Sequence, residues 1–161
     1  MNKKLSFTLL KNPVHFLALG FGSGLAPKAP GTFGTLMAVP IYLAIKDLEL
    51  SLFLAIITFV TIVGVFICER SSKLLGVHDH PGIVWDEFAG FLITMIAVPF
   101  DWLWLLLGFI LFRFFDIVKP WPIKSVDAKM QGGLGIMMDD VIAGVFAGLC
   151  LHSIIWLSAY V

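Results

Sequence analysis

Long apolar segments that end in clusters of charged residues are the feature that most constrains how this chain can fold. Hydrophobic residues make up 59% of the 161 positions and charged residues only 14%, whereas a soluble domain carries about 25% charged residues. Mean hydropathy is +0.97. Because only helices and closed barrels satisfy their backbone groups in lipid, we predict an all-α integral membrane protein with a single domain, residues 1–161.

Five apolar segments are candidate transmembrane or partial helices of a bundle. They are Phe33–Ile45, Ser51–Cys68, Trp85–Val98, Trp102–Val118 and Ile136–Tyr160. A membrane helix needs about 20 residues, so the first and third segments are short. They either extend into their flanks or form partial helices that pack against the others. A further apolar piece, residues 14–19, is too short to span and is predicted to lie at the interface or to re-enter.

The basic residues indicate how these spans are oriented, because cytoplasmic loops carry an excess of lysine and arginine. With a cytoplasmic N-terminus, a single basic residue, Lys46, falls in an outer loop. The other ten of the 11 lie on or near the cytoplasmic side: Lys3, Lys4, Lys11, Lys28, Arg70, Lys73, Arg113, Lys119, Lys124 and Lys129. The formal net charge is zero, so no basic excess indicates nucleic-acid binding.

Five carboxylates at the ends of these segments are predicted to converge on the cytoplasmic face and to hold a metal. They are Asp86, Glu87, Asp116, Asp139 and Asp140. Neighbouring residues on a helix point about 100° apart. One member of each acidic pair is therefore expected to bind metal while the other orients water or accepts a hydrogen bond. The alternative is that acids at helix N-termini only complement the helix dipole.

Arg113, Asp116 and Lys119 recur every three residues and so share one helical face. Pro120 and Pro122 are predicted to end that helix, because proline lacks a backbone donor and disfavours helical geometry before it. The two cations are expected to bind phosphate. The alternative is a salt-bridge ladder at the end of the span.

Residues 20–35 hold five glycines and two prolines and cannot form a regular span. A glycine-rich loop that leads into a helix start presents free backbone N–H groups, which suit an anion. We expect a phosphate cradle that includes Lys28 and Thr32. Asp79 and His80 in the next cytoplasmic loop are lesser candidates. Because the clusters are rich in oxygen, they favour Mg²⁺ over zinc.

Gly144 and Gly148 form a GxxxG pattern in the last segment, which lets a neighbouring helix approach closely. Packing within the bundle is one reading, and the alternative is the seam of a homodimer. No motif of a serine or cysteine hydrolase is present. A metal-assisted reaction at phosphate fits the residue types instead.

Four motifs together resemble the phosphatidylglycerophosphatase A family: Gly24–Thr35, Ile83–Gly90, Arg113–Pro122 and Gly132–Gly144. The resemblance runs from about Gly20 to Gly148 in the family's order. It implies a Mg²⁺-dependent phosphatase of the bacterial inner membrane whose active site faces the cytoplasm. Its substrate would be the phospholipid phosphatidylglycerol phosphate, which is converted to phosphatidylglycerol and phosphate.

Two other classes of protein also place charges at membrane spans. A small transporter or ion pathway would need them, but here the charges gather at one face and no inverted repeat is visible. A lipid head-group transferase of the CDP-alcohol type would carry a DGxxAR motif, which is absent. For the phosphatase, the residues leave two routes open, attack by water or attack by a carboxylate to give an aspartyl-phosphate.

Overall fold

The computed structural model describes residues 5–159, and the regular elements in that range are all helical. Its α-helices are α1 (Pro13–Ala18), α2 (Pro30–Ile45), α3 (Leu50–Leu75), α4 (Trp85–Thr94), α5 (Trp102–Val118), α6 (Ile123–Lys129) and α7 (Gly132–Ser158). The 3₁₀ helices Phe7–Lys11 and Gly20–Leu25 flank α1. Lys3, Lys4 and the Tyr160 end of the fifth predicted span lie outside the described residues.

The predicted segments correspond to α2, α3, α4, α5 and α7, and α5 agrees residue for residue. The Asp101 carboxylate accepts a hydrogen bond from the Leu103 N–H at 2.7 Å, which caps the start of α5. At the other end Lys119 takes a left-handed conformation with φ 44°. Pro120 follows directly and cannot continue the helix.

Four of the predicted boundaries are wrong by three residues or more. Helix α3 continues to Leu75, past the predicted end at Cys68, and α7 begins at Gly132 instead of Ile136. The loop expected over residues 20–35 ends at Ala29, and Pro30 begins α2. Proline suits this position because its missing N–H would have no partner in the first turn. The third segment, expected to reach Val98, stops at Thr94. The chain turns there, with Ala97 at a positive φ of 54°.

Helix α4 lies at the centre of the bundle, with almost every residue buried. Its 10 residues rise about 15 Å, half of the roughly 30 Å hydrocarbon core of a membrane. It is therefore a partial helix packed against others. In contrast, α3 and α7, with 26 and 27 residues, are long and apolar enough to cross a membrane.

The GxxxG pattern packs against α4 within the chain. A Cβ added at Gly144 would lie 2.3 Å from the carbonyl oxygen of Gly90, and one added at Gly148 would lie 3.3 Å from that of Thr94. Glycine is required at the first position because the two backbones touch there. The glycine face of α7 is therefore occupied by α4 of the same chain.

Helix α7 also contacts α3, α5 and α6. This packing brings the first turns of α2 and α4, and the part of α7 that carries Asp139 and Asp140, to the same end of the bundle as the last turn of α5. The predicted charged clusters meet at that end.

Candidate active site

A polar cavity of about 230 Å³ lies where these helix ends meet. Residues Ala29, Pro30 and Gly31 of the α2 start, and Asp79, Pro81 and Ile83 of the loop before α4, form part of its lining. The charged side chains Asp86, Glu87, Arg113, Asp116, Lys119, Asp139 and Asp140 complete it. Segments far apart in the sequence therefore supply one site, as they do in other helix-bundle centres.

Three of the buried carboxylates form a compact cluster. Asp86, Glu87 and Asp140 each offer an oxygen atom, and these atoms all lie within 4.8 Å of one another. Both members of the first acidic pair, Asp86 and Glu87, reach this cluster, although neighbouring residues on a helix point about 100° apart. The longer glutamate side chain can bend around the helix to do so.

The two members of the second acidic pair have different neighbours. Asp140 joins the cluster, whereas the Oδ2 atom of Asp139 lies 2.5 Å from the Nζ atom of Lys119. Asp116 lies beside the cluster, next to Asp140, and its Oδ2 atom lies 2.6 Å from a nitrogen of Arg113. The two acids outside the cluster are thus held by the two cations of the cavity.

The carboxylates fit a divalent cation, because each of four acids keeps one buried oxygen without a partner. Among the described residues, no hydrogen-bond donor reaches Asp86 Oδ1, Glu87 Oε2, Asp139 Oδ1 or Asp140 Oδ2. An ionised carboxylate buried without compensation costs several kcal/mol. Carboxylate oxygens are the ligands that Mg²⁺ takes in proteins. The donor set is therefore chemically suited to such an ion.

Arg113 connects three of the elements around the cavity. One guanidinium nitrogen lies 2.6 Å from Asp116 Oδ2, 3.7 Å from Glu87 Oε1 and 3.4 Å from the hydroxyl of Thr35. Its buried Nε atom has no partner among the described residues. The guanidinium thus keeps a donor for a further acceptor in the cavity. Thr35, which is completely buried, carried no signal in the sequence.

Lys119 does not continue a ladder with Asp116. It leaves the helix in its left-handed conformation and binds Asp139 at 2.5 Å and Asp127 of α6 at 3.0 Å. Burial lowers the pKa of the Lys119 ammonium, but the bonds to these two carboxylates outweigh burial and raise it above the usual range. Lys119 therefore stays charged. Of the salt-bridge ladder, only the Arg113–Asp116 pair is present.

Of the other predicted phosphate-binding residues, Asp79 is the one that lines the cavity, whereas His80, Lys28 and Thr32 are not among its lining residues. Asp79 lines it, and burial raises the pKa of that carboxyl. His80 is buried, and its Nδ1 atom accepts the Gly82 N–H at 3.1 Å. Lys28 is exposed and Thr32 half-buried, and neither is among the lining residues.

The start of α2 reaches the charged centre through Gly31. A Cβ added at Gly31 would lie 2.3 Å from Glu87 Oε1 and 3.0 and 3.2 Å from the two terminal nitrogens of Arg113. Among the described residues, no side chain caps this helix start. Pro30 has no N–H, and the Thr32 and Phe33 N–H groups donate to the Ala29 carbonyl oxygen, so the Gly31 N–H is the group at this helix start that an anion can use. The anion site stays a prediction from the glycine-rich pattern, which did not indicate this close approach of Gly31 to Glu87 and Arg113.

Two residues that the sequence did not indicate hold the start of α7. The Gly132 N–H donates to Nε2 of His78 at 2.7 Å, and the Gly133 N–H donates to the Glu69 carboxylate. Glu69 also pairs with Lys73 at 2.5 Å. These bonds satisfy N–H groups that a helix start leaves unpaired. Glu69 thereby fixes the helix that carries the second acidic pair.

The comparisons with known proteins agree with this arrangement. The family model described as "Phosphatidylglycerophosphatase A" matches residues 16–155, which include every charged residue of the cavity. A protein of that name from Escherichia coli strain K12 is 46% identical over 146 residues, 90% of this chain and 85% of the relative. Another of that name from Haemophilus influenzae is 43% identical over 155 residues, 95% of each chain. No solved structure matches the chain. The chain belongs to the phosphatidylglycerophosphatase A family.

Proposed function

We propose that this protein is a membrane-embedded, Mg²⁺-dependent phosphatase that hydrolyses phosphatidylglycerol phosphate to phosphatidylglycerol and phosphate. The observation that carries the proposal is the cavity itself. Buried carboxylates with unpartnered oxygens lie beside Arg113 and Lys119. A metal site next to fixed cations is the combination that a phosphate monoester requires. The names of the relatives supply the identity of the lipid.

A location within the membrane is supported by the outer surface of the helices. Large apolar side chains are exposed along α2, α3, α5 and α7, among them Leu36, Phe59, Ile62, Phe66, Leu106, Ile110 and Leu149. Continuous apolar surface of this kind marks contact with lipid or a partner. In this proposal the whole chain is one domain in the bacterial inner membrane. The excess of basic residues then orients the cavity toward the cytoplasm.

Asp86, Glu87 and Asp140 would hold the metal, with Asp116 and Asp139 beside them. A bound Mg²⁺ would polarise the phosphoryl group and offset charge that develops on its oxygens. Arg113, through its Nε donor, and the Gly31 N–H at the start of α2 would bind the phosphate oxygens. Their positions are fixed before substrate arrives, since Arg113 is held by Asp116 and Thr35.

Hydrolysis forms a bond from an attacking oxygen to phosphorus and breaks the bond to the glycerol oxygen, which takes up a proton. A cavity carboxylate serves this step in one of two ways. It orients water and accepts its proton, or it attacks phosphorus and gives an acyl phosphate that water then cleaves. Asp79 also faces the cavity, and its raised pKa suits it to carry a proton.

The position of the charges favours an enzyme over a transport pathway. The charged side chains that line the cavity lie at one end of the bundle, around the first turns of α2 and α4 and the last turn of α5. An ion pathway would continue polar groups toward the other end.

Phosphate release from phosphatidylglycerol phosphate by the purified protein in detergent tests the proposal. We expect release with Mg²⁺, loss after EDTA treatment and recovery when Mg²⁺ is added back. Asp140→Asn should abolish release. Asp47→Asn is the matched control, because its carboxylate is 84% exposed and pairs only with Lys46 among the described residues. If no phosphate were released from this lipid under any condition, the proposed function would be wrong. If the EDTA-treated protein kept full activity, the proposed dependence on Mg²⁺ would be wrong.

A further inference from the structure

An apolar groove of about 280 Å³ runs between α2 and α5, outside the polar cavity. Its lining consists of Leu36, Val39, Trp102, Leu105, Leu106 and Phe109. The two helices pack mainly against α4 and α7 and touch each other little. A cleft therefore remains between them on the lipid-facing side.

The groove and the polar cavity share the same two helices. Helix α2 begins at the cavity, and α5 ends there. The Arg113–Thr35 contact of 3.4 Å joins α2 to α5 at the junction. With a rise of 1.5 Å per residue, Phe109 lies about 6 Å and Trp102 about 16 Å from Arg113 along the α5 axis. The groove thus starts next to the charged site and leads away from it.

The residues at the bottom of the groove are packed against the protein core, and those at its sides are exposed. Phe109 packs edge-on against Phe91 of the buried helix α4, with ring centroids 6.2 Å apart. Leu105 beside it is buried, whereas Leu36 and Leu106 are more than half exposed. A long, flexible, apolar group can enter such a groove sideways from the membrane.

We propose that one acyl chain of the lipid phosphate substrate lies in this α2–α5 groove while its phosphate occupies the polar cavity. This inference rests on the proposed function. Continuity with the charged site identifies the occupant, because a lipid whose phosphate is bound near Arg113 must pass its tail out between two helices. Val39 and Leu106 are then residues that determine specificity for the chain.

The groove acts by orienting the substrate. Lipid tails are as apolar as the groove, so little hydrophobic free energy is gained when a chain moves into it. A held chain instead restricts how the phosphate can sit, and misplacement of reacting groups by about 1 Å can cost about 10²-fold in rate. Filling the groove should therefore reduce turnover of long-chain substrate.

Val39→Trp fills the groove, and Ile62→Trp on the exposed face of α3 is the matched control. Each is assayed with long-chain and with short-chain phosphatidylglycerol phosphate. For Val39→Trp we expect kcat/KM to fall about tenfold with the long-chain lipid and to stay unchanged with the short-chain one. The control should change neither. If both variants lowered kcat/KM equally, or if Val39→Trp lowered it equally with both lipids, the proposed position of the acyl chain in the groove would be wrong.

A second measurement uses the unmodified protein. A phosphatidylglycerol phosphate with a photoreactive group on its acyl chain should label α2 and α5 at groove residues. Even labelling around the apolar surface would contradict the inference. These results are separate from the function itself, which fails only if the unmodified protein hydrolyses neither lipid.

Discussion

Replacing Gly31 with alanine tests whether the start of α2 positions the charged site. The added Cβ would lie 2.3 Å from Glu87 Oε1 and 3.0 Å from the nearer Arg113 nitrogen. Both neighbours are the ends of side chains, so the backbone need not move. The carboxylate or the guanidinium must shift instead, by about 1 Å, to restore an ordinary contact distance.

The expected effect falls on catalysis and spares stability. A displacement of about 1 Å in a catalytic constellation can reduce turnover by about 10²-fold, which corresponds to about 2.7 kcal/mol in the activation free energy. Alanine in a helix is more stable than glycine by roughly 0.5–1 kcal/mol. This gain offsets part of the cost of moving Glu87. The melting temperature should therefore change by only a few degrees.

Steady-state phosphate release and thermal unfolding in the same detergent measure the two quantities. Gly148→Ala is the matched control, because it lies in helix α7 and its Cβ would meet the nearest atom, a Thr94 oxygen, at 3.3 Å. It should keep near-normal turnover. If Gly31→Ala were as active as the unmodified protein, or lost activity only through unfolding, the start of α2 would not position the site.

Three further predictions concern other parts of the chain. Asp116→Asn should be inactive, because the substitution removes the ion pair that holds Arg113. Lys28→Ala should keep measurable turnover, since Lys28 is exposed; an active Asp116→Asn and an inactive Lys28→Ala would instead assign the essential role to Lys28. Glu69→Ala should lower kcat by about tenfold or more, because the Gly133 N–H at the start of α7 loses its acceptor, and an unpaired buried N–H destabilises its surroundings by about 1–3 kcal/mol. Glu69→Gln should restore most of the lost kcat, and an equal loss of kcat in both variants would argue against a role of this hydrogen bond. Single cysteines near Lys124 should be labelled from the cytoplasm and those in residues 46–50 from outside, and opposite labelling would reverse the orientation.

The sequence predicted the helices well where local chemistry decides them. Asp101 and Pro120 delimit α5 through a cap and a missing donor, and both signals are local. Helix α4 was predicted too long because Val98 is as apolar as the residues before it. The turn that ends the helix depends on backbone geometry around Ala97 that hydropathy does not encode.

The charged residues of the site were predictable, and their pairing was not. Ionisable residues at the ends of apolar segments are easily recognised in a sequence, and Asp86 and Asp140 were predicted as site residues for that reason. Whether Asp139 faces the cluster or Lys119 depends on how α7 is rotated against the end of α5. Glu69 was missed because its partner is a backbone N–H 64 residues away, and such contacts arise only from tertiary packing.

The imbalance of charge in the cavity bears on the order in which its ligands bind. In the part of the chain that the structure describes, six carboxyl groups and two cations line it, and a phosphate monoester brings nearly two more negative charges. A lipid phosphate that reaches the cavity before a cation meets repulsion at short range, where the dielectric is low. Binding is therefore expected to be sequential, with the cation first. An enzyme poor in Mg²⁺ would then leave its substrate free in the membrane instead of holding it in an unproductive complex.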